Sequence, residues 1–301
     1  MIKLFTHTDY DGVSCAVLAK LAFGENVDIE YCNYNDVDSK VEEFFDSELD
    51  YECHITDISI NEELANRIND SEKKYYLLDH HGTALNLNKF DWCNVQVENE
   101  DTGIKTSGAE LYYHWLVDNN YLTRTDVLDK FVEVVRDYDT WRWKELGEDG
   151  VICKQVNDLL YIYGRKKFVD WCIAQINNEV FPNLYASDVL VLEIEQKKID
   201  DYVKAKDKHL FIGDMCGMKC GFVFAEKYSS ELGNRLCEIH PEFDFVAIIN
   251  MDGTVSYRTI RDDIDLGKEV AQAFGGGGHP KAAGSRFSNE VKMNIIKEIF
   301  K

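Results

Sequence analysis

Between residues 1 and 100, short apolar runs alternate with stretches of helical periodicity, and that alternation limits the fold more than any other feature of the chain. Ile2 to Thr6, Val27 to Tyr31, Glu52 to Thr56 and Tyr75 to Leu78 read as strands, with a fifth over Trp92 to Val97. Gly12 to Phe23, Val37 to Phe45 and Asn61 to Ile68 read as helices between them, the last capped by Ser59 or Asn61. Alternation at this spacing predicts a parallel sheet with helices on both faces. Ligands of such sheets bind beyond the carboxyl ends of the strands, where Asp9, Asp57 and Asp79 all fall.

The remainder supports a second, smaller α/β unit. Ser107 to about Tyr138 and residues 151 to 208 read as mainly helical. The run 186–208 lacks Gly and Pro and predicts a connecting helix. Beyond it, Lys219 to Ala225, Phe243 to Asn250 and Thr254 to Tyr257 read as strands, with helices over Ser229 to Glu238, Leu266 to Phe274 and Glu290 to Phe300. The expected division is 1–185, a linker at 186–208, and 209–301. At 301 residues and 45% hydrophobic content the chain can bury two cores.

Charge and cysteine usage narrow the partners and the compartment. The net charge is −22, and no basic stripe suited to a long nucleic acid duplex is present. A small anion held by metal ions needs no such stripe. Nine irregularly spaced cysteines fit reduced thiols and a cytoplasmic location. Cys216 and Cys220 lack a second pair that would complete a zinc site, so they are expected as buried free thiols. The N-terminus turns polar too early for a signal peptide, and no apolar run approaches the ~18 residues of a membrane span.

Four acidic clusters carry the chemistry. His7-Thr8-Asp9-Tyr10-Asp11-Gly12 lies between a strand and a helix, its ligand-capable side chains at two-residue spacing and so on one side of an extended segment. Taken alone it reads better as a polar loop in which Asp9 or Asp11 caps the helix. Asp57 after the third strand, and Asp137 and Asp139 at a helix end, are turn residues when read singly. Leu78-Asp79-His80-His81-Gly82 resists that reading. An acid and two histidines at the tip of a buried strand gain nothing from burial unless something binds them. Adjacent histidines face opposite ways on a strand, so one can ligate a metal while the other faces a substrate.

Leu78-Asp79-His80-His81 resembles the signature of the DHH phosphoesterase superfamily, and His7-x-Asp9-x-Asp11-Gly12, Asp57 and Arg136 to Trp141 match its other metal motifs in order. Gly275-Gly276-Gly277-Gly278-His279-Pro280-Lys281-Ala282-Ala283-Gly284 resembles the signature of the C-terminal domain found with many members. The resemblance implies a catalytic domain at 1–185 and a substrate-binding domain at 209–301. It implies one cation held by His7, Asp9 and Asp57, and a second by Asp11, Asp57, His80 and either Asp137 or Asp139, with Asp137 favoured. Asp79 would orient a histidine and His81 would face the scissile phosphate. Only Thr8 separates His7 from Asp9, closer than in many relatives.

Several activities share such a site. Two ions, Mn²⁺ above Mg²⁺ or Co²⁺, would ready a water for in-line attack on phosphorus. In the second domain, Gly276, Gly277, Gly278 and His279 would offer donors to an anion, while Arg258, with Arg261 behind it, would contact phosphate or base. The leading expectation is a phosphodiesterase that degrades short oligonucleotides to mononucleotides, as a monomer or homodimer. Cyclic or linear dinucleotide hydrolysis, 3′-phosphoadenosine phosphate hydrolysis, RecJ-like exonuclease activity and non-catalytic nucleotide binding are the alternatives.

Overall fold

A computed structural model describes residues 1–301, which divide into two units, Met1–Leu192 and Glu193–Lys301. In the first, β1 (Ile2–His7), β2 (Val27–Cys32), β3 (Glu52–Thr56), β4 (Tyr75–Asp79) and β5 (Cys93–Val95) form one sheet in the order β2-β1-β3-β4-β5. Every pairing is parallel. Strand periodicity of two feeds two cores. Leu4 and Leu78 point into one cluster, their neighbours Phe5 and Leu77 into the other. Strands buried on both faces therefore read as continuous apolar runs.

Helices cover both faces, as the alternation predicts. On one side lie α1 (Tyr10–Phe23), α4 (Gly108–Asp118), α5 (Asp126–Asp139), α6 (Glu148–Tyr163) and α7 (Arg165–Asn177), packed through Val13, Val17, Tyr112, Phe131, Leu159 and Phe168. On the other lie α2 (Val37–Phe45) and α3 (Glu62–Asn69), through Val41, Leu64 and Ile68. Asn61, not Ser59, caps α3, accepting from the Leu64 amide at 2.9 Å. The division between the units falls inside α8 (Ala186–Asp207).

The second unit is a mixed sheet in the order β10-β11-β9-β8-β7-β6. Its strands are β6 (Phe211–Met215), β7 (Met218–Phe224), β8 (Phe245–Ile249), β9 (Thr254–Arg258), β10 (Gly277–His279) and β11 (Ala282–Arg286). Only β7 and β8 run parallel, joined through α9 (Ser229–Ile239). The chain ends in α10 (Asn289–Ile299). Strands β6 and β11 were not expected, and Leu266 to Phe274 is a π turn followed by a 3₁₀ turn instead of an α-helix. Gly277 and Gly278 of the glycine run lie in an edge strand so close to β11 that a Cβ on Gly278 would meet Ala283 Cα at 2.6 Å. Cys216 is exposed in the β6–β7 turn rather than buried, whereas Cys220 is buried as expected.

Candidate active site

Each acid of the first unit is aimed by a specific piece of backbone. β1 ends at His7, and Asp9 caps α1, its Oδ1 accepting from the Gly12 amide at 3.1 Å. The strand-to-helix turn is tight enough that a Cβ on Gly12 would strike the His7 carbonyl. The other oxygen, Asp9 Oδ2, lies 2.8 Å from His7 Nδ1, so capping and ligation are compatible at this residue. Asp11 sits in the first turn of α1, fully buried. Its carboxylate accepts from the amides of Gly108 at 2.6 Å and Ala109 at 2.8 Å, which are the positive end of α4.

Asp57 follows β3 with φ of 55°, in the left-handed region that Asp tolerates better than most residues. A Cβ on Gly108 would meet Asp57 Cβ at 2.5 Å, so the start of α4 is pressed against this carboxylate. Asp57 Oδ1 lies 3.3 Å from His80 Nε2, and Oδ2 lies 3.8 Å from His7 Nδ1. Asp11 Oδ2 at 3.7 Å and Asp139 Oδ2 at 3.5 Å complete the surroundings of His80 Nε2.

Of the two acids closing α5, the sequence favoured Asp137 and the geometry places Asp139 beside His80. Asp137 is instead gripped by Arg136 Nη2 at 3.1 Å and Arg142 Nη1 at 2.8 Å. Arg136 also donates to Glu110 at 2.8 Å, tying α5 to α4. Asp79 holds His81, with Oδ1 at 2.7 Å from Nδ1, while Ser59 Oγ donates to Oδ2 at 2.5 Å. Tyr34, which sequence reasoning passed over, completes that chain. Its hydroxyl is 3.0 Å from His81 Nε2, and its ring centroid is 5.0 Å from that of His7. Nothing in the pattern of the β2–α2 loop marks it, because an exposed tyrosine in a loop carries no periodicity.

The electrostatics ask for cations. Burial, then the mutual repulsion of Asp11, Asp9 and Asp139, pushes Asp57 well above the ordinary carboxylate range. Burial with Asp11 and Asp9 nearby does the same to Asp139, and burial raises Asp11. For Asp9, burial also pushes upward, but the hydrogen bond and charge of His7 outweigh it and the carboxyl titrates low. Burial lowers the His81 imidazole less than Asp79 raises it, and the net shift is upward. Asp57 Oδ2 and His80 Nε2 are buried with no hydrogen-bond partner. Two buried atoms that can each offer a lone pair, left without a hydrogen bond among further carboxylates, fit metal ligands. Donor atoms of His7, Asp9 and Asp57 lie within 4.8 Å of one another, as do those of Asp11, His80 and Asp139.

The expected substrate residues of the second unit differ in availability. Arg258 makes no ion pair; it donates to the Tyr257 carbonyl at 2.8 Å and Ser230 Oγ at 3.0 Å. Burial pulls its guanidinium below the ordinary value. Arg261 is tied to Asp263 at 2.6 Å and to Asp244, so its charge is already matched. Gly276 spends its amide on the Ala271 carbonyl at 2.8 Å. Gly277, Gly278 and His279 lie exposed on β10, whose outer edge is unpaired.

No family model matches the chain. Among curated proteins, it is 38% identical over 314 residues to oligoribonuclease NrnB of Bacillus subtilis, covering 100% of this chain and 76% of that protein. It is 23% identical to a 3′,5′-cyclic-nucleotide phosphodiesterase of Helicobacter pylori, over 97% of this chain and 95% of that protein. Among solved structures, exonuclease RecJ bound to manganese aligns over 98% of this chain and 88% of its own, with a TM-score of 0.61 at 14% identity. The pGpG-specific phosphodiesterase PggH of Vibrio cholerae aligns over 99% and 97%, with a TM-score of 0.54 at 16% identity. These two share the fold. Identity along the full length to the B. subtilis protein, on top of the ordered acid and histidine motifs, makes this chain a member of the DHH phosphoesterase family.

Proposed function

We propose that the protein is a metal-dependent phosphodiesterase that hydrolyses short oligoribonucleotides to mononucleotides, using two divalent cations, Mn²⁺ foremost. The observation that carries this reading is Asp57, whose two oxygens face two separate donor groups while Oδ2 has no hydrogen bond. His7, Asp9 and Asp57 would hold one cation, and Asp11, Asp57, His80 and Asp139 the other. Mixed imidazole and carboxylate ligands suit Mn²⁺. Cations bound there supply Lewis-acid chemistry, polarising phosphoryl oxygens and making water nucleophilic at neutral pH.

The chain's own residues divide the remaining work. Asp11, fixed by two helix amides, and Asp9, fixed by its cap, present their carboxylates without rearrangement. Asp79 keeps a proton on His81 Nδ1 and favours the charged imidazole, leaving Nε2 to meet a phosphate oxygen in place of Tyr34. Support for the substrate class comes from the oligoribonuclease relative, and from a net charge of −22 that disfavours long polyanions.

A mixture of di- to pentaribonucleotides incubated with Mn²⁺ and read by mass spectrometry tests the proposal. Mononucleotide release, lost on chelation, is expected. No release from any of the substrates would reject it.

A further inference from the structure

The second unit contains a cavity that the reading above does not use. It occupies about 590 Å³ where β7 and β8 end, at Phe224 and Ile249, against α8. Register places it away from the expected substrate residues. Arg258 pairs with Val246 near the start of β8, whereas Val255 pairs with Ile249 at its end. His279 lies at the Arg258 end too, since it pairs with Ala282, which pairs with Arg258. The cavity is therefore at the opposite end of the sheet, beyond the carboxyl ends of its one parallel strand pair, which is where α/β units take ligands.

Its lining combines two chemistries. Phe224 is 44% exposed and Met251 38%, an apolar wall left open to water at a site where Ala225 is buried. Lys198, Lys206 and Lys227 stand around it with a single lining acid, Glu226, although acids outnumber bases 55 to 33 in the whole chain. Lys206 donates to the Phe224 carbonyl at 2.5 Å, and Lys198 pairs with Glu195 at 2.9 Å. Lys227 lines the cavity without a hydrogen bond or close ion pair and is balanced only by the more distant charge of Glu195, so its ammonium can meet an anion. Tyr202 and Tyr228 line it edge to face, with centroids 5.6 Å apart. Their hydroxyls are already engaged, Tyr228 with Glu195 at 2.6 Å and Tyr202 with the Glu226 amide at 3.3 Å.

We propose that this cavity is a second nucleotide site, binding a nucleoside 5′-monophosphate with its base on Phe224 and Met251 and its phosphate among Lys198, Lys206 and Lys227. An aromatic face accepts any base, and clustered ammonium groups accept a phosphate. The choice of a mononucleotide over another flat anion rests on the proposed hydrolysis, which releases that compound. Bound product at the far end of the sheet would report on the supply of mononucleotides without occupying the residues that hold substrate.

Calorimetric titration of the full chain in EDTA, with adenosine 5′-monophosphate, adenosine, inorganic phosphate and a diribonucleotide in turn, tests this without any turnover. One mononucleotide per chain is expected, with adenosine and phosphate each binding about tenfold more weakly or worse. Lys227→Glu, an exposed and unpaired position that leaves folding intact, should weaken the mononucleotide by about tenfold, and Lys198→Gln/Lys206→Gln/Lys227→Gln should weaken it further. Arg258→Ala should leave it within about twofold. No binding, binding indifferent to Lys227→Glu, or binding lost in Arg258→Ala would overturn the site. Tighter binding of the diribonucleotide, lost in the same lysine variants, would overturn the mononucleotide in favour of a chain end. Failure of the oligonucleotide panel above would remove the hydrolase reading and leave this titration to stand or fall by itself.

Discussion

At Asp57 the backbone takes a φ of 55°, a conformation that costs a non-glycine residue on the order of 1–3 kcal/mol. The carboxylate it presents is buried among three others that oppose its ionisation. Strain and repulsion at one residue are sustained when a ligand offsets both, and the proposed divalent cation would be that ligand. The sign of the pH dependence follows. The folded-state pKa stands above the ordinary 3.8, so without metal the native state holds this proton more tightly than the unfolded chain. That contribution is full below the ordinary value and is lost as pH rises through the raised one. Asp57→Asn keeps a side chain that tolerates left-handed backbone. In metal-free protein it should raise Tm by roughly 2–4 °C at neutral pH, less in acid, while turnover falls by about a thousandfold. Calorimetry with EDTA, set beside the kinetics, reads both; a metal-free variant less stable than wild type would contradict the account.

Asp137 and Asp139 make the second residue-scale case. Asp139 should be the ligand and Asp137 a structural anion, so their asparagine variants should separate. Asp139→Asn is expected to cost turnover by about a hundredfold or more without loss of stability. Asp137→Asn removes one partner of Arg136, which keeps Glu110, and the partner of half-exposed Arg142, and should cost about 1.5–3 kcal/mol of stability. Denaturant titrations and initial rates distinguish them, and the reverse pattern would exchange the roles. Nothing in the chain separated the two acids. Asp139 lies four residues after Val135 and Asp137 three after Val134, and both valines belong to the buried face of α5.

Among the elements, the meeting of α1 with α4 builds the site. The amides that open α4 hold Asp11, and Gly108 lets that helix end come within contact of Asp57. Ser107 opens the helix by accepting from the Glu110 amide at 3.2 Å, a capping pattern visible in the sequence. What the sequence could not tell is where that helix start lands, because a pairing across 97 residues depends on tertiary packing. Gly108→Ala should therefore lower kcat by about tenfold or more with the helix still formed, since alanine is the better helix residue. Wild-type kcat in a folded Gly108→Ala protein would show that the close approach is dispensable. Strands β1, β3 and β4 were legible because burial on both faces leaves mostly apolar runs, and β2 because Val27, Ile29 and Tyr31 alternate with acids, whereas β6, β10 and β11 were not. Phe211 and Ile212 of β6 are exposed, and the glycines of β10 carry no side chains to show a period.

For the whole molecule, 55 acidic residues against 33 basic ones create a field that works against long nucleic acids and leaves the concentrated positive charge to bound cations. His7, Asp9, Asp11, Asp57, His80 and Asp139 converge from four separate segments of the chain on one edge of the sheet. No helix is long and apolar enough to cross a membrane. The order of the motifs disclosed the convergence; the sharing of Asp57 between the two donor groups needed coordinates. Equilibrium dialysis against Mn²⁺, with bound metal counted by spin resonance, tests that sharing most directly. The account predicts two ions per chain for the wild type and loss of both in Asp57→Asn, and a wild type that binds none, or an Asp57→Asn variant that keeps two, would contradict it.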